Sequence, residues 1–343
     1  MKALYGSTAS EMEALIVSSG FPKFRAAQIL DWLYRKHVLA WEEMKNLPKD
    51  LLKAIAGSHR LTALQMEEAG VCAGEGSSKF LFRTADGHLL ESMLISQENR
   101  ETVCVSSQLG CPVQCPFCAS GKGGFIRNLT AGEIIEQIIW IARQSGRKIT
   151  NVVFMGMGEP LENFDEVMKA LEILTAQWGF EMGGRKITLS TSGVTKRIYD
   201  FVKCTDGRIR LSVSLHSADD HARSRLIPYN RKYPLSGLIA ELKKVHRVLK
   251  RDITFEYTLI DGVNDSEADA KAVARIAKPL QAKINLIPYN PIREVVWKTP
   301  SRERMDRFRE TLEKSGVRST FRKSAGKDVD GACGQLRLDR VRS

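Results

Sequence analysis

CVSSQLGCPVQCPFCASGKGG, residues 104–124, holds four of the chain's seven cysteines. Cys111, Cys115 and Cys118 form a CxxxCxxC triplet, and Cys104 stands seven residues upstream. Three thiolates this close in sequence can converge on one metal centre from a single loop. Tetrahedral zinc needs a fourth ligand and commonly draws on two separated pairs, and the chain has no second CxxC. A [4Fe–4S] cube is held by thiolates, normally four; with three, one iron stays open to a substrate or cofactor. On spacing alone, zinc, iron–sulfur and unliganded cysteines all remain open.

The flanking pattern places the triplet in a fold. TVCVSS (102–107), TNVVFM (150–155), KITLST (186–191), RLSVSL (210–215), TFEYTL (254–259) and KINLIP (283–288) read as strands. Helical segments lie between them, among them AGEIIEQIIWIARQS (131–145), which opens on a Thr130-to-Glu133 capping box. Alternating strand and helix predict an α/β fold with a parallel sheet and helices outside, and six repeats predict a partial (βα)6 barrel. Chemistry in such folds gathers at the C-terminal ends of the strands. The triplet follows the first strand, and Gly156-Met157-Gly158-Glu159-Pro160 follows the second. A last helix (301–316) and strand (317–324) lead to the tail AGKDVDGACGQL, which carries Cys333.

Residues 1–75 read as a small helical domain, with a capping box from Thr8 to Glu11, an amphipathic run FRAAQILDWLYRKHV and a third helix in NLPKDLLKAIAG. Residues 76–96 read as a β-hairpin linker turning at Asp86-Gly87. Residues 97–343 form the α/β core. Trp32, Tyr34, Arg35, Lys36 and His37 make either a nucleic-acid surface or the packing stripe of the helical domain.

The chain is 343 residues, 43% hydrophobic and 27% charged, as expected of a soluble globular protein. No apolar run reaches the ~18 residues that span a bilayer, and the first residues show no signal-peptide core. A cytoplasmic protein without a membrane partner is expected, with thiols kept reduced and so available for metal or catalysis. The formal net charge of +12 fits either a solvated basic surface or a polyanionic partner, most simply nucleic acid.

With an aromatic residue before its last cysteine, the triplet resembles that of the radical S-adenosylmethionine (SAM) superfamily. GMGEP after the second strand looks like that superfamily's SAM-contacting loop. CVSSQLGCPVQCPFC, FMGMGEP, ITLSTSGV, SVSLHS, INLIPYNP and GACGQL together resemble the rRNA and tRNA adenosine C2-methyltransferase family (the RlmN family), over nearly the whole chain. The resemblance implies one [4Fe–4S] cluster held by Cys111, Cys115 and Cys118, with its open iron taken by SAM. It implies SAM contacts at Gly158, Glu159, Ser190, Ser214, Leu215, His216 and Asn290, Glu159 accepting from the SAM ammonium. It also implies two SAM molecules per turnover, an electron donor such as flavodoxin or ferredoxin, and a monomer acting on 23S rRNA and on tRNA, with the N-terminal helical domain gripping the RNA.

By the same resemblance, Cys333 matches the methyl carrier, Cys104 the thiol that resolves the covalent intermediate through a transient disulfide, and Glu91 the acceptor of the C2 proton. Read without the family, Cys104 is a buried structural cysteine and Glu91 a solvated strand residue. Cys72 and Cys204 match no motif. Two alternatives stand beside this reading. One is the C8-methylating, antibiotic-resistance branch of the same family, from which Ser192 and Pro288 point away. The other is a non-catalytic iron–sulfur or zinc RNA-binding protein, which leaves Cys104, Cys333 and GMGEP unexplained.

Overall fold

The computed structural model describes residues 1–69, 76–292, 295–322 and 334–336. After a two-residue strand β1 (Lys2–Ala3), helices α1 (Ala9–Ser18), α2 (Arg25–Tyr34) and α3 (Lys49–Ala56) lead to β2 (His59–Arg60), which pairs parallel with β1. The expected capping box starts α1: Thr8 N donates to Glu11 at 2.8 Å and Glu11 N to Thr8 Oγ1 at 3.3 Å. Met12, Ile16, Ile29, Leu33, Leu51 and Ile55 are fully buried, in one hydrophobic core shared with the α/β core.

Residues 1–75 are therefore not wholly helical. Besides β1 and β2, LQMEEA forms strand β3 (Leu64–Ala69), with Leu64 and Met66 packed on the core and Gln65 exposed between them. That is the two-residue period of a half-buried strand. The aromatic stripe ending α2 is likewise spent on packing. The Tyr34 ring lies 5.9 Å from Trp178 and 6.0 Å from Phe180, and His37 lies 5.3 Å from Phe180. Arg35 donates to Gln177 O at 2.7 Å. Most of this stripe joins the N-terminal helices to the rest of the molecule instead of facing a nucleic acid.

Strands β4 (Ser77–Thr84) and β5 (Leu89–Gln97) form the expected hairpin, and β5 pairs antiparallel with β6 (Arg100–Cys104). The cysteine segment follows, with β7 (Gln108–Gly110), the short α4 (Ala119–Lys122) and β8 (Phe125–Asn128). Then come α5 (Ala131–Ser145), β9 (Asn151–Phe154), α6 (Phe164–Thr175), β10 (Ile187–Thr191), α7 (Thr195–Cys204) and β11 (Arg210–Ser214). The remainder is α8 (Asp220–Leu226), α9 (Leu235–His246), β12 (Thr254–Leu259), α10 (Glu267–Ala277), β13 (Lys283–Pro288), α11 (Arg302–Lys314) and β14 (Ser319–Phe321).

The large sheet runs β14-β13-β12-β11-β10-β9-β6-β5-β4-β3, parallel from β14 to β6 and antiparallel beyond. The α/β fold is as read, and β14, inside the expected last strand, joins the six as a further parallel strand. The hairpin is a continuation of the sheet as well as a connection. The first strand stops short of the expected Ser107. Ser106 leaves the ladder because Gln137 of α5 takes its N–H at 2.8 Å and donates to its carbonyl at 3.0 Å, while its hydroxyl donates to Glu91 O at 2.7 Å.

Successive side chains of a strand face opposite ways, and the two faces here are chemically distinct. Val103, Val152, Leu189, Leu211, Val213, Phe255, Tyr257, Ile284 and Leu286 are fully buried in the core. The alternate positions Thr102, Cys104, Thr188, Ser212, Thr254, Glu256 and Asn285 line a cavity of about 420 Å³. An eight-stranded parallel barrel is filled with packed branched side chains; this sheet instead encloses a hollow whose lining mixes these polar residues with Met93, Ile95, Met155 and Phe321. Glu136 of α5 fastens the entry to β3, accepting from Ala63 N at 2.8 Å and Leu64 N at 2.7 Å.

Candidate metal centre and the cavity beneath it

Cys111, Cys115 and Cys118 line a second cavity, of about 140 Å³, at the C-terminal ends of the strands. The loop that presents them is held by backbone bonds: Cys111 N donates to Gly124 O at 2.8 Å and Cys118 N to Cys115 O at 3.0 Å. Gly121 makes its tightness possible, since a Cβ there would lie 2.9 Å from Cys115 N. Burial pushes the Cys111 thiol up to about 12 and raises Cys115 and Cys118, and the neighbouring sulfurs raise Cys111 and Cys115 further. Half-buried thiols raised in this way are costly to ionise unless a cation takes them up.

Among the described residues no trio of His, Cys, Asp or Glu is gathered closely enough to hold one metal ion. The three soft donors share one cavity. The donor set, the enclosing loop and the bare cavity beside it fit a cluster held by three thiolates.

The GMGEP loop is stitched to the segment before the cysteines. Met157 N donates to Ser106 Oγ at 2.9 Å, Ser107 N to Met157 O at 2.9 Å and Glu159 N to Gln108 Oε1 at 2.7 Å. Gly158 has φ +107°, and a Cβ on it would sit 2.7 Å from Gln108 Cβ, so the close approach requires glycine. Gly158, Glu159, Ser190, Ser214, His216 and Asn290 all line the cysteine cavity.

Two of the expected contacts have other work. The Glu159 carboxylate accepts from Ser192 N at 2.6 Å, Ser192 Oγ at 2.7 Å and Leu161 N at 3.1 Å. In this structure it anchors the loop after β10. The Leu215 side chain lies in the core, and its backbone bonds to Glu256 O and Arg223 Nε. His216 Nδ1 accepts from Thr258 N at 3.0 Å, and its ring meets the Phe117 ring edge-on at 4.9 Å. Burial, helped by the Arg223 charge, drives its pKa down to about 3, so the ring is neutral with its proton on Nε2.

Cys104 faces the lower cavity, packed with Met93, Met157 and Leu336. Cys118 lines both cavities, so the lower one reaches the cysteine loop. Cys333 and Cys72 lie outside the described residues. Next to Cys333, Gly334 O accepts from Ala119 N at 2.7 Å, and Leu336 O accepts from Ser120 Oγ at 2.7 Å. Residues 334–336 thus dock on α4, directly after the triplet. Glu91 is buried and ion-paired with Lys79 at 3.1 Å, not solvated. Met93, Ile95 and Gln97 of β5 line the lower cavity, and Glu91 lies one step beyond them on the same face.

Sequence reading missed Arg223 and Glu256. Arg223 is fully buried and donates to Leu215 O, Ser214 O, Ser192 O and Asn230 Oδ1, tying together the loops after β10 and β11. Its charge is felt by Cys115. Glu256 lines both cavities. A polar residue at an inward position of a barrel strand is the signal that marks Glu256; nothing local marks Arg223.

Comparison with known proteins bears on this site. Residues 105–272 match the family model of the Radical SAM superfamily, and residues 2–59 match that of the ribosomal RNA large subunit methyltransferase N-terminal domain. The chain is 44% identical over 342 residues to a protein of Akkermansia muciniphila named "Probable dual-specificity RNA methyltransferase RlmN", covering 96% of this chain and 94% of the relative. A protein of the same name from Thermotoga sp. is 40% identical over 344 residues, covering 100% and 99%. The crystal structure of a radical SAM methyltransferase from Sphaerobacter thermophilus superposes with a TM-score of 0.94 at 42% identity, covering 99% of this chain and all of that one.

Proposed function

Because the chain belongs to the RlmN-type radical SAM RNA methyltransferases, we propose that it methylates C2 of adenosine. The substrates are 23S rRNA at the peptidyl-transferase centre and the tRNA anticodon loop at the adenosine 3′ of the anticodon. The observation that carries this reading is the position of Cys104 on the wall of a cavity that reaches the cysteine loop, with the residue after Cys333 bonded to that same loop.

Cys111, Cys115 and Cys118 would hold the [4Fe–4S] cluster, and Gly158, Ser190, Ser214, His216 and Asn290 would surround SAM. When bound and reduced, the cluster supplies the electron that turns SAM into a hydrogen-abstracting radical. The residues of the chain do the rest. C2 of adenine is flanked by two ring nitrogens and is too electron-poor to displace a methyl group itself. The Cys333 thiolate takes a methyl from one SAM and carries it, dividing one difficult step into easier ones. A second SAM is consumed in activating that methyl for bonding to C2. The carried carbon, having lost one hydrogen atom, bonds to C2. The adduct gives back the one electron spent on cleaving SAM while Glu91 takes the C2 proton. Cys104 then attacks the Cys333 sulfur and breaks its bond to that carbon, which takes up a proton to become the methyl of the released RNA. A Cys104–Cys333 disulfide is left. Neutral His216 donates from Nε2 without adding charge near the cluster. The reading carries with it an electron donor such as flavodoxin or ferredoxin, a monomer and a cytoplasmic site.

The test is mass spectrometry of nucleosides from separated rRNA and tRNA, taken from cells lacking their own enzyme and carrying this chain or Cys333→Ala. 2-Methyladenosine with the intact chain alone is the expected result. 8-Methyladenosine would move the chain to the other branch. Neither product, from soluble and cluster-loaded protein, would end the proposal.

A further inference from the structure

Glu256 is 4% exposed and sits at the seam of the two cavities. One carboxylate oxygen, Oε1, accepts from Ser212 Oγ at 3.0 Å and Asn285 Nδ2 at 3.4 Å. The other, Oε2, is buried and accepts a hydrogen bond from no described residue. A buried carboxylate oxygen without a donor is expensive, and such atoms mark places where a ligand completes the bonding. Burial raises the Glu256 carboxyl above its usual range, and the charge of Arg322, which lines both cavities with it, opposes that rise together with the bonds from Ser212 and Asn285. Further along the lower cavity are Arg100 and Arg210, both exposed, where a nucleic-acid backbone outside could be met. A path therefore runs from exposed arginines, past a bare carboxylate oxygen, to Cys104 and the cysteine loop.

We propose that Glu256 is a substrate-binding residue: its Oε2 accepts from the exocyclic amine of the adenine that enters the lower cavity, while Arg100 and Arg210 meet the RNA phosphates. This rests on the reading of the substrate as adenosine in RNA. The chemistry selects the base. Adenine turns an amine donor toward the carboxylate; guanine would turn a carbonyl oxygen toward it, leaving two acceptors opposed. A site built to bond a donor rejects analogues that lack it far more strongly than an apolar pocket does. SAM also carries amines, and the experiment separates the two sources.

Reconstituted full-length enzyme, wild type and Glu256→Gln, is given two short RNA hairpins, one with adenosine at the target and one with purine riboside, which lacks the amine. Methylated nucleosides are quantified, and the Kd for SAM is measured by equilibrium dialysis. Wild type is expected to prefer adenosine by about 10- to 100-fold, the range of one charge-assisted hydrogen bond. E256Q is expected to lose most of that preference with the Kd for SAM unchanged. Removing the amine leaves C2 more open to radical attack, so slower reaction of purine riboside reports binding, not intrinsic reactivity. Equal rates on both RNAs with wild type would overturn the assignment without any variant. So would an E256Q enzyme that keeps full preference, or one whose SAM binding weakens while the preference stays. If wild-type enzyme with a loaded cluster modifies neither RNA, the functional reading fails and this inference falls with it. Activity on adenosine with no Glu256 dependence removes the inference alone.

Discussion

The cysteine loop and the lower cavity meet at Cys118, yet they are assembled differently. The loop takes its three thiols from eight consecutive residues and is shaped by backbone hydrogen bonds and the close approach of Gly121. The lower cavity takes its lining from strands that are distant in sequence, one or a few inward side chains from each. The loop is locally determined and intolerant; the cavity is shared among many residues and should respond to substitution by degrees. That contrast gives four expectations, in falling order of effect.

Cys115→Ala should abolish the cluster, seen as loss of visible absorbance near 400 nm after anaerobic reconstitution, and with it all methylation. Retained cluster absorbance would break the picture of a loop with no spare ligand. Gly121→Ala puts a methyl group against the Cys115 backbone, and the loop must shift. Cluster loading should fall about tenfold or more, corresponding to an overpacking cost of about 1–3 kcal/mol, in iron and sulfide analysis. Near-normal loading would mean the loop is less tightly built than its backbone contacts imply.

The third expectation concerns acid. His216 is neutral when folded, with a pKa of about 3, below its value of about 6.5 in an unfolded chain. The unfolded state therefore binds a proton that the folded state refuses, so stability falls as pH drops from about 6.5 toward 3. His216→Asn can keep an acceptor for Thr258 N and removes the titration. In thermal unfolding of cluster-free protein, its Tm should decline less steeply than that of wild type across this window. Parallel declines would assign the acid sensitivity to other groups. The smallest effect should come from the shared cavity. Ser212→Ala removes one of the two hydrogen bonds to Glu256 Oε1 and leaves the other, and should change kcat/KM by roughly 2- to 10-fold. A total loss would show that the cavity is as intolerant as the loop.

Much of the fold was legible along the chain. Strands β12 and β13 fall on the expected residues, because each carries a sustained two-residue alternation bounded by breakers. The capping boxes at Thr8 and Thr130 start their helices as read. Tertiary contacts decided two further points: packing prevailed over a nucleic-acid surface for the aromatic stripe, and the first strand is shorter than read. Tyr34 and His37 face Phe180, a partner more than a hundred residues away that no local pattern names. The first strand ends early because Gln137, on a helix not yet begun, takes the backbone of Ser106.

The candidate site divides in the same way. The triplet, the GMGEP loop, His216 and Cys104 were found from sequence, since each lies in a short motif. Glu256 and Arg223 were not. By itself the sequence determined which residues carry the soft donors, and that strand and helix alternate around a sheet. These follow from spacing and periodicity, which are properties of neighbours along the chain. Only the tertiary structure decided that the inward face encloses a hollow with a mixed polar and apolar lining, that Glu159 is engaged by Ser192, and that one oxygen of Glu256 has no donor among the described residues. Those are outcomes of distant strands closing on one another, where burial and the supply of hydrogen-bond partners are settled together.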